Sequence, residues 1–220
     1  MSIINSLKWR YATKKFDTNK KVSDIDIATL KEAIQLTPSS YGFQLYKVIV
    51  VTDQKIKDKL YKESYYQSQI RDCSHLFVFC SYKNVESEHI DEFIELMEKG
   101  RQEDDERAYV DKVKSKAKII MYGTIAKADI GQRDKKETLH WMQKQCYLAV
   151  SQLMVTCADM RIDSCPFEGF STEAYDKILD LGDRNLTSTV LLPVGYRTED
   201  DRHQYRTKIR KPLKKLFEEK

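Results

Sequence analysis

The sequence predicts an α+β fold around one sheet, and three observations carry that reading. Apolar residues recur at helical spacing in several segments, a few short apolar runs have strand character without being contiguous, and the two kinds of segment alternate along the chain. Ser23-Asp24-Ile25-Asp26 reads as an N-cap with an acidic third position, opening a helix that carries Ile27, Leu30 and Ile34 on one face. That helix is expected to stop near Thr37-Pro38, because proline disfavours helical backbone in the residue before it. Lys47–Val51 is a buried strand candidate, followed by a lysine-rich helix over Gln54–Ser64 and a second strand over His75–Tyr82. Ile90, Phe93, Ile94 and Met97 follow the i, i+3, i+4, i+7 rule, with Gly100 as the expected stop. The segment Arg101–Lys118 is highly charged and reads as a solvated helix or a mobile excursion. Glu137–Met160 is the longest helix candidate. Leu139, Met142, Cys146, Ala149, Val150, Leu153, Met154 and Cys157 form its broad apolar stripe, which suits a central buried helix or a subunit interface. A helix over Thr172–Leu181 and a buried strand over Thr187–Tyr196 complete the pattern.

Composition narrows the class. The 220 residues are 41% hydrophobic and 33% charged, with 38 cations against 34 anions for a formal charge of +4. That balance suits a globular protein with a real core and does not ask for a nucleic-acid partner. The five cysteines are odd in number and hold no C-x-x-C pair, so a reducing compartment is expected in place of a disulfide framework. No signal-peptide core or membrane-length apolar run is visible, and a cytoplasmic location is expected.

Familiar catalytic motifs are missing. There is no G-x-G-x-x-G, P-loop, G-x-S-x-G or H-E-x-x-H, and His75, His89, His140 and His203 do not fall at metal-ligand spacing. What remains is a set of segments with two readings each. Lys8 to Lys15 is a solvated charge run or, through Arg10 and Lys14, an approach to an anionic or electron-rich ligand. Pro38-Ser39-Ser40-Tyr41-Gly42-Phe43-Gln44 is a turn-rich connector or the lining for a planar heterocycle. Cys165–Phe170 is a short connector or a buried turn that offers backbone donors. Near the end, Lys208 and Arg210 flank Ile209, and extended backbone would point both cations one way, toward an anion.

Taken in order and spacing, Arg10–Phe16 ("RYATKKF"), Thr37–Gln44 ("TPSSYGFQ"), His140–Leu148 ("HWMQKQCYL"), Pro166–Phe170 ("PFEGF"), Thr189–Arg197 ("TVLLPVGYR") and Lys208–Pro212 ("KIRKP") resemble the FMN-dependent nitroreductase family. Within it, the resemblance is to the oxygen-insensitive NAD(P)H nitroreductase and dihydropteridine reductase branch. It runs over essentially the whole chain, so residues 1–220 are expected to be a single FMN-binding domain. The resemblance implies a nitroreductase-like fold, with a mixed, mainly antiparallel sheet flanked by helices in an intertwined homodimer that binds FMN at the subunit interface. It implies ping-pong transfer of hydride from NADH or NADPH through flavin N5 to nitroaromatics, quinones or similar electrophilic acceptors, with no side chain acting as catalyst. It also assigns residues. Arg10, Lys208 and Arg210, with Ile209 between them, match the family's cations on the FMN phosphate, and Tyr11, Ala12 and Thr13 lie in the same loop. Lys14 matches the lysine at the pyrimidine edge of the isoalloxazine. Glu168 and Gly169, with Pro166 and Phe167, match the turn whose backbone lies against N5 and O4. Pro38, Ser39, Ser40 and Gly42 match the loop offered by the other subunit. Tyr66 and Gln69 fall near flavin and nicotinamide, and Arg107 matches a nicotinamide-dinucleotide contact. Tyr41, Phe43 and Tyr122, the last as an aromatic flap, complete the substrate mouth together with Lys14. The chain departs from the pattern where Ala12 replaces a serine, Tyr66 replaces an asparagine, and Tyr41-Gly42-Phe43 replaces a more polar trio. A flavin-destroying or dehalogenating member of the superfamily, or a non-catalytic FMN-binding redox sensor, are the alternative functions.

Overall fold

The computed structural model describes residues 2–103 and 109–220, and its side chains outside 100–118. In chain order the helices are α1 (Ile3–Trp9), α2 (Asp24–Gln35), α3 (Gln54–Lys62), α4 (Ser68–Asp72), α5 (Ser87–Glu103), α6 (Tyr109–Gly131), α7 (Lys135–Asp159) and α8 (Thr172–Ile178). The strands are β1 (Tyr46–Val51), β2 (His75–Tyr82), β3 (Asp163–Ser164) and β4 (Leu186–Gly195). They form one sheet in the order β1-β2-β4-β3 with every neighbouring pair antiparallel. The parallel element among the described residues is a single bridge between Ala12 and Ser164. The expected α+β class holds.

Alternation along β2 sorts the core into two layers. Phe77 and Phe79 face α2 and α7, packing with Ile27, Leu30, Ile34, Cys146, Ala149 and Leu153. Leu76, Val78 and Cys80 face the other way, onto Leu60, Ile70, Phe167 and Tyr175. A strand buried on both faces loses the polar alternation of a half-exposed one, which is why Leu76–Cys80 within it reads as an unbroken apolar run. Each fully buried aliphatic or aromatic side chain contributes about 1.5–3 kcal/mol. A third cluster joins Phe43, Leu45, Ile90, Ala126 and Met142, beside the loop before β1. All five cysteines are buried free thiols.

Side-chain caps open α2, α3, α7 and α8, the first as expected at Ser23. The Ser23 hydroxyl accepts from the Asp26 N–H at 3.1 Å, and Asp134 forms a reciprocal capping box with Glu137 at the head of α7. Gly100 does not stop α5, which continues to Glu103. A glycine inside a helix costs only about 1 kcal/mol, so without a cap or proline it does not end one. Of the segment 101–118, the backbone is helical to Glu103 and again from Tyr109. Arg107 lies outside the described residues.

Candidate functional site

Helix α1 ends at Arg10, whose N–H still donates to the Ser6 carbonyl. Lys208 comes back across 200 residues to donate its Nζ to the Lys8 carbonyl at 2.6 Å, satisfying one of the last-turn acceptors. This contact draws the C-terminal cations to Arg10. Burial is the main cause lowering the Arg10 pKa; Cys165 and Cys157 act against it, and Arg210 adds to it. The Lys208 pKa is also lowered, first by burial, then by Arg10, Arg210 and Arg197. Arg10 Nε is buried without a hydrogen-bond partner among the described residues. Such a group costs on the order of 1–3 kcal/mol when left unsatisfied, and more when it is charged. Three mutually repelling cations and an orphaned guanidinium donor have the chemistry that an anion would satisfy.

The loop after Arg10 is held from below by Asp201, which is 1% exposed. Its carboxylate accepts from Tyr11 Oη at 2.7 Å, Lys14 N–H at 2.8 Å, Lys15 N–H at 3.2 Å and His203 N–H at 3.0 Å. Burial alone would raise the Asp201 pKa, but these donors together bring it down to about 2. Burial first, and then the bond to Asp201, raises the Tyr11 phenol pKa. Asp163 performs a parallel task. It accepts from Arg197 N–H at 2.9 Å and Arg197 Nε at 2.7 Å, and Arg197 in turn stacks on the rings of Trp9 and Tyr11. Thr13 is fully buried, its hydroxyl donating to Asp163 and its N–H to the Ser164 carbonyl, so it faces the interior. Asp163, Arg197 and Asp201 were not singled out from the sequence. The available signal was weak: a pair of carboxylates, Asp200 and Asp201, directly ahead of a basic tail.

A second group forms at the Pro166–Gly169 turn. Phe167 anchors it in the core by exchanging two backbone hydrogen bonds with Leu191, at 2.9 and 3.0 Å. Pro166 and Glu168 remain exposed. Gln67 Nε2 reaches the Gly169 carbonyl at 3.4 Å, and Tyr147 Oη donates to Glu168 Oε1 at 2.8 Å. Tyr66 is 67% exposed and sets its ring edge-on to Tyr61, while Gln69 is buried in α4.

The third group is the loop 38–44, and its backbone is strained. Tyr41, Gly42 and Gln44 all have positive φ, at 59°, 78° and 47°. Ser39 Oγ accepts from the Gln44 N–H at 2.9 Å, and the Ser40 N–H donates to Gln145 Oε1 at 2.8 Å. Tyr41, Phe43 and Tyr122 do come together, in one aromatic cluster with Phe93 and Trp141. Tyr122 Oη donates to the Tyr41 carbonyl at 2.8 Å and Tyr41 Oη to Asp129 at 3.0 Å, so both phenols are engaged in holding the loop. A Cβ at Gly42 would stand 2.8 Å from Phe93 Cζ. Gly42→Ala is therefore expected to cost about 2 kcal/mol, from the left-handed backbone and the clash together. For a chain this long that is a fall of about 4–8 °C in the melting temperature. An unchanged melting curve would show that Phe93 moves aside freely.

The chain by itself does not bring this loop to the cations. Ser40 binds α7 at Gln145, while α1 and Arg10 lie near Cys157 and Asp159, with Ser6 donating to Asp159 at 3.0 Å. Twelve helical residues separate those positions, roughly 18 Å along α7.

A family model for the nitroreductase family matches residues 7–196. The chain belongs to the nitroreductase family. The protein named "Putative NAD(P)H nitroreductase SH0546" of Staphylococcus haemolyticus is 31% identical over 99% of this chain and 96% of its own length. YfkO of Bacillus subtilis, given the same activity in its name, is 27% identical over 96% of each chain. A nitroreductase-type structure from Exiguobacterium sibiricum, solved in complex with FMN, superposes with a TM-score of 0.80 at 17% identity, covering 100% of this chain and 98% of that one. The match is to the nitroreductase fold along its whole length, and the cation cluster at Arg10 is the part of this chain whose chemistry fits a phosphate-bearing cofactor.

Proposed function

We propose that this nitroreductase-family chain is an FMN-dependent NAD(P)H oxidoreductase for nitroaromatics, quinones or similar electrophilic acceptors, working in two alternating half-reactions. The observation that carries the reading is the convergence of Arg10, Lys208 and Arg210 around a buried, unsatisfied Arg10 Nε. A phosphate there would accept charge-assisted hydrogen bonds worth about 1.5–3 kcal/mol each before desolvation. The chemistry supplied by FMN when bound is hydride acceptance and release at its N5. The protein's part is to bind and orient. Lys14, whose backbone is fixed on Asp201, would offer positive charge to an electron-rich ring edge. The Pro166–Gly169 turn, anchored by Phe167, offers backbone donors on a rigid strand partner. The exposed Tyr66, and Tyr41 and Phe43 of the aromatic cluster, would border the acceptor.

We further propose that residues 1–220 act as one FMN-binding domain in a cytoplasmic homodimer, the Pro38–Gly42 loop of one subunit completing the site of the other. The roughly 18 Å along α7 between that loop and the cations supports this arrangement. So do the exposed apolar residues Ile3, Ile4 and Leu7 on α1, Leu148 on α7, and Leu213 and Phe217 in the tail. Among the described residues no helix is long and apolar enough to cross a membrane.

The test is a visible spectrum of the purified protein under anaerobic conditions. Flavin bands should bleach on addition of NADPH or NADH and return when a nitroaromatic follows. A protein that stays colourless after incubation with FMN overturns the reading.

A further inference from the structure

Among the described residues, hydrogen bonds tie the Pro166–Gly169 turn to the rest of the molecule in three places, and they differ in kind. The Phe167–Leu191 backbone pair secures its buried side, and the Gln67–Gly169 contact, at 3.4 Å, is near the limit of a hydrogen bond. The bond from Tyr147 Oη to Glu168 Oε1, at 2.8 Å, is the short side-chain tie, and it joins the turn to the middle of α7. Tyr147, Val150, Ser151 and Met154 on α7 face Pro166 and Glu168 across a pocket of about 430 Å³. Nothing in the packing requires a phenol here. The ring is 43% exposed, and a phenylalanine would fill the same space. Burial first, and the Glu168 contact next, push the Tyr147 phenol up to about 12, so it stays a donor throughout the neutral range.

We propose that Tyr147 is a positioning residue: by hydrogen bonding the Glu168 carboxylate it sets where that charge, and the Pro166–Gly169 turn, stand relative to bound FMN. The proposal rests on the FMN reading above. The phenol draws the carboxylate toward α7 and shares its negative charge through a charge-assisted bond. Without it, the carboxylate is free to turn toward the flavin side with its charge unshared. Added negative charge on the flavin would then be harder to accept.

The experiment compares wild type, Tyr147→Phe, Glu168→Gln and the double variant, each loaded with FMN. Bound flavin is equilibrated anaerobically with a reference dye, and FMN affinity is measured separately by fluorescence titration. Tyr147→Phe should bind FMN within about twofold of wild type, because the phosphate cations are untouched. Its ratio of oxidised to reduced flavin should shift about fivefold toward oxidised, the size expected for one partly exposed hydrogen bond. Glu168→Gln should shift the ratio toward reduced, and adding Tyr147→Phe to it should change nothing further, since the two act as one unit. An unshifted ratio in flavin-loaded Tyr147→Phe overturns the proposal. So does an equal shift on the Glu168→Gln background, which would mean that the phenol acts by another route. If Tyr147→Phe does not fold, an unshifted ratio in Glu168→Gln overturns it as well. A wild-type protein that takes up no FMN fails earlier, and overturns the flavin reading along with this one.

Discussion

Arg10→Ala is expected to purify without flavin, and its FMN dissociation constant should rise by about 10- to 100-fold over wild type. The size follows from losing at least one charge-assisted hydrogen bond of about 1.5–3 kcal/mol to a phosphate. The sign of the stability effect is opposite, which makes the variant informative. In the ligand-free chain Arg10 is a half-buried cation whose buried Nε lacks a partner among the described residues, and Lys208 and Arg210 are close enough to repel it. Removing it should leave the melting temperature of the apoprotein level or slightly higher while reducing the stabilisation that FMN adds. Titration of the apoprotein by flavin fluorescence, together with melting curves with and without FMN, checks both halves. Normal flavin occupancy in Arg10→Ala would remove the phosphate assignment.

Asp201→Ala is the second large effect, and here fold and site fail together. One buried carboxylate satisfies the Tyr11 hydroxyl and the backbone N–H groups of Lys14, Lys15 and His203. Its loss leaves those donors without an acceptor and frees the loop that carries Lys14. A cost on the order of 3 kcal/mol is expected, or about 6–12 °C in melting temperature, with FMN affinity reduced alongside. The same group sets an acid limit. The folded pKa of Asp201 is depressed to about 2 from an ordinary 3.8. Its contribution is therefore fully present above about pH 4 and is lost as pH falls through 2. Wild type should lose stability across that window more steeply than Asp201→Asn, which has no charge there to lose. Matching acid-unfolding profiles for the two would show that the carboxylate's charge is not what holds the loop.

Much of the architecture was written locally. Ile27, Leu30 and Ile34 are the buried residues of α2, and β2 has the predicted bounds, because a 3.6-residue or two-residue period is a property of neighbours in the chain. The short elements were not legible. β3 has two residues and α4 has five, too few to display a period, and both exist because the surrounding chain pairs with or packs on them. Gly100 misled for a related reason: a helix end needs a cap, and a lone glycine is not one.

The site divides along the same line. Residue types and their spacing determined by themselves that the chain carries cations at Arg10, Lys208 and Arg210, a turn at Pro166–Gly169 and an aromatic loop at Tyr41–Phe43. Tertiary structure alone decided that Lys208 returns to the end of α1, that Asp201 knots the loop after Arg10, and that Tyr147 reaches Glu168. It also decided that Thr13 turns inward and that the strained loop lies far along α7 from the cations. The physical reason is sequence distance. A hydrogen bond between residues nearly 200 positions apart leaves no periodic trace in either segment, and exists only once the sheet and α7 have brought the two ends of the chain together.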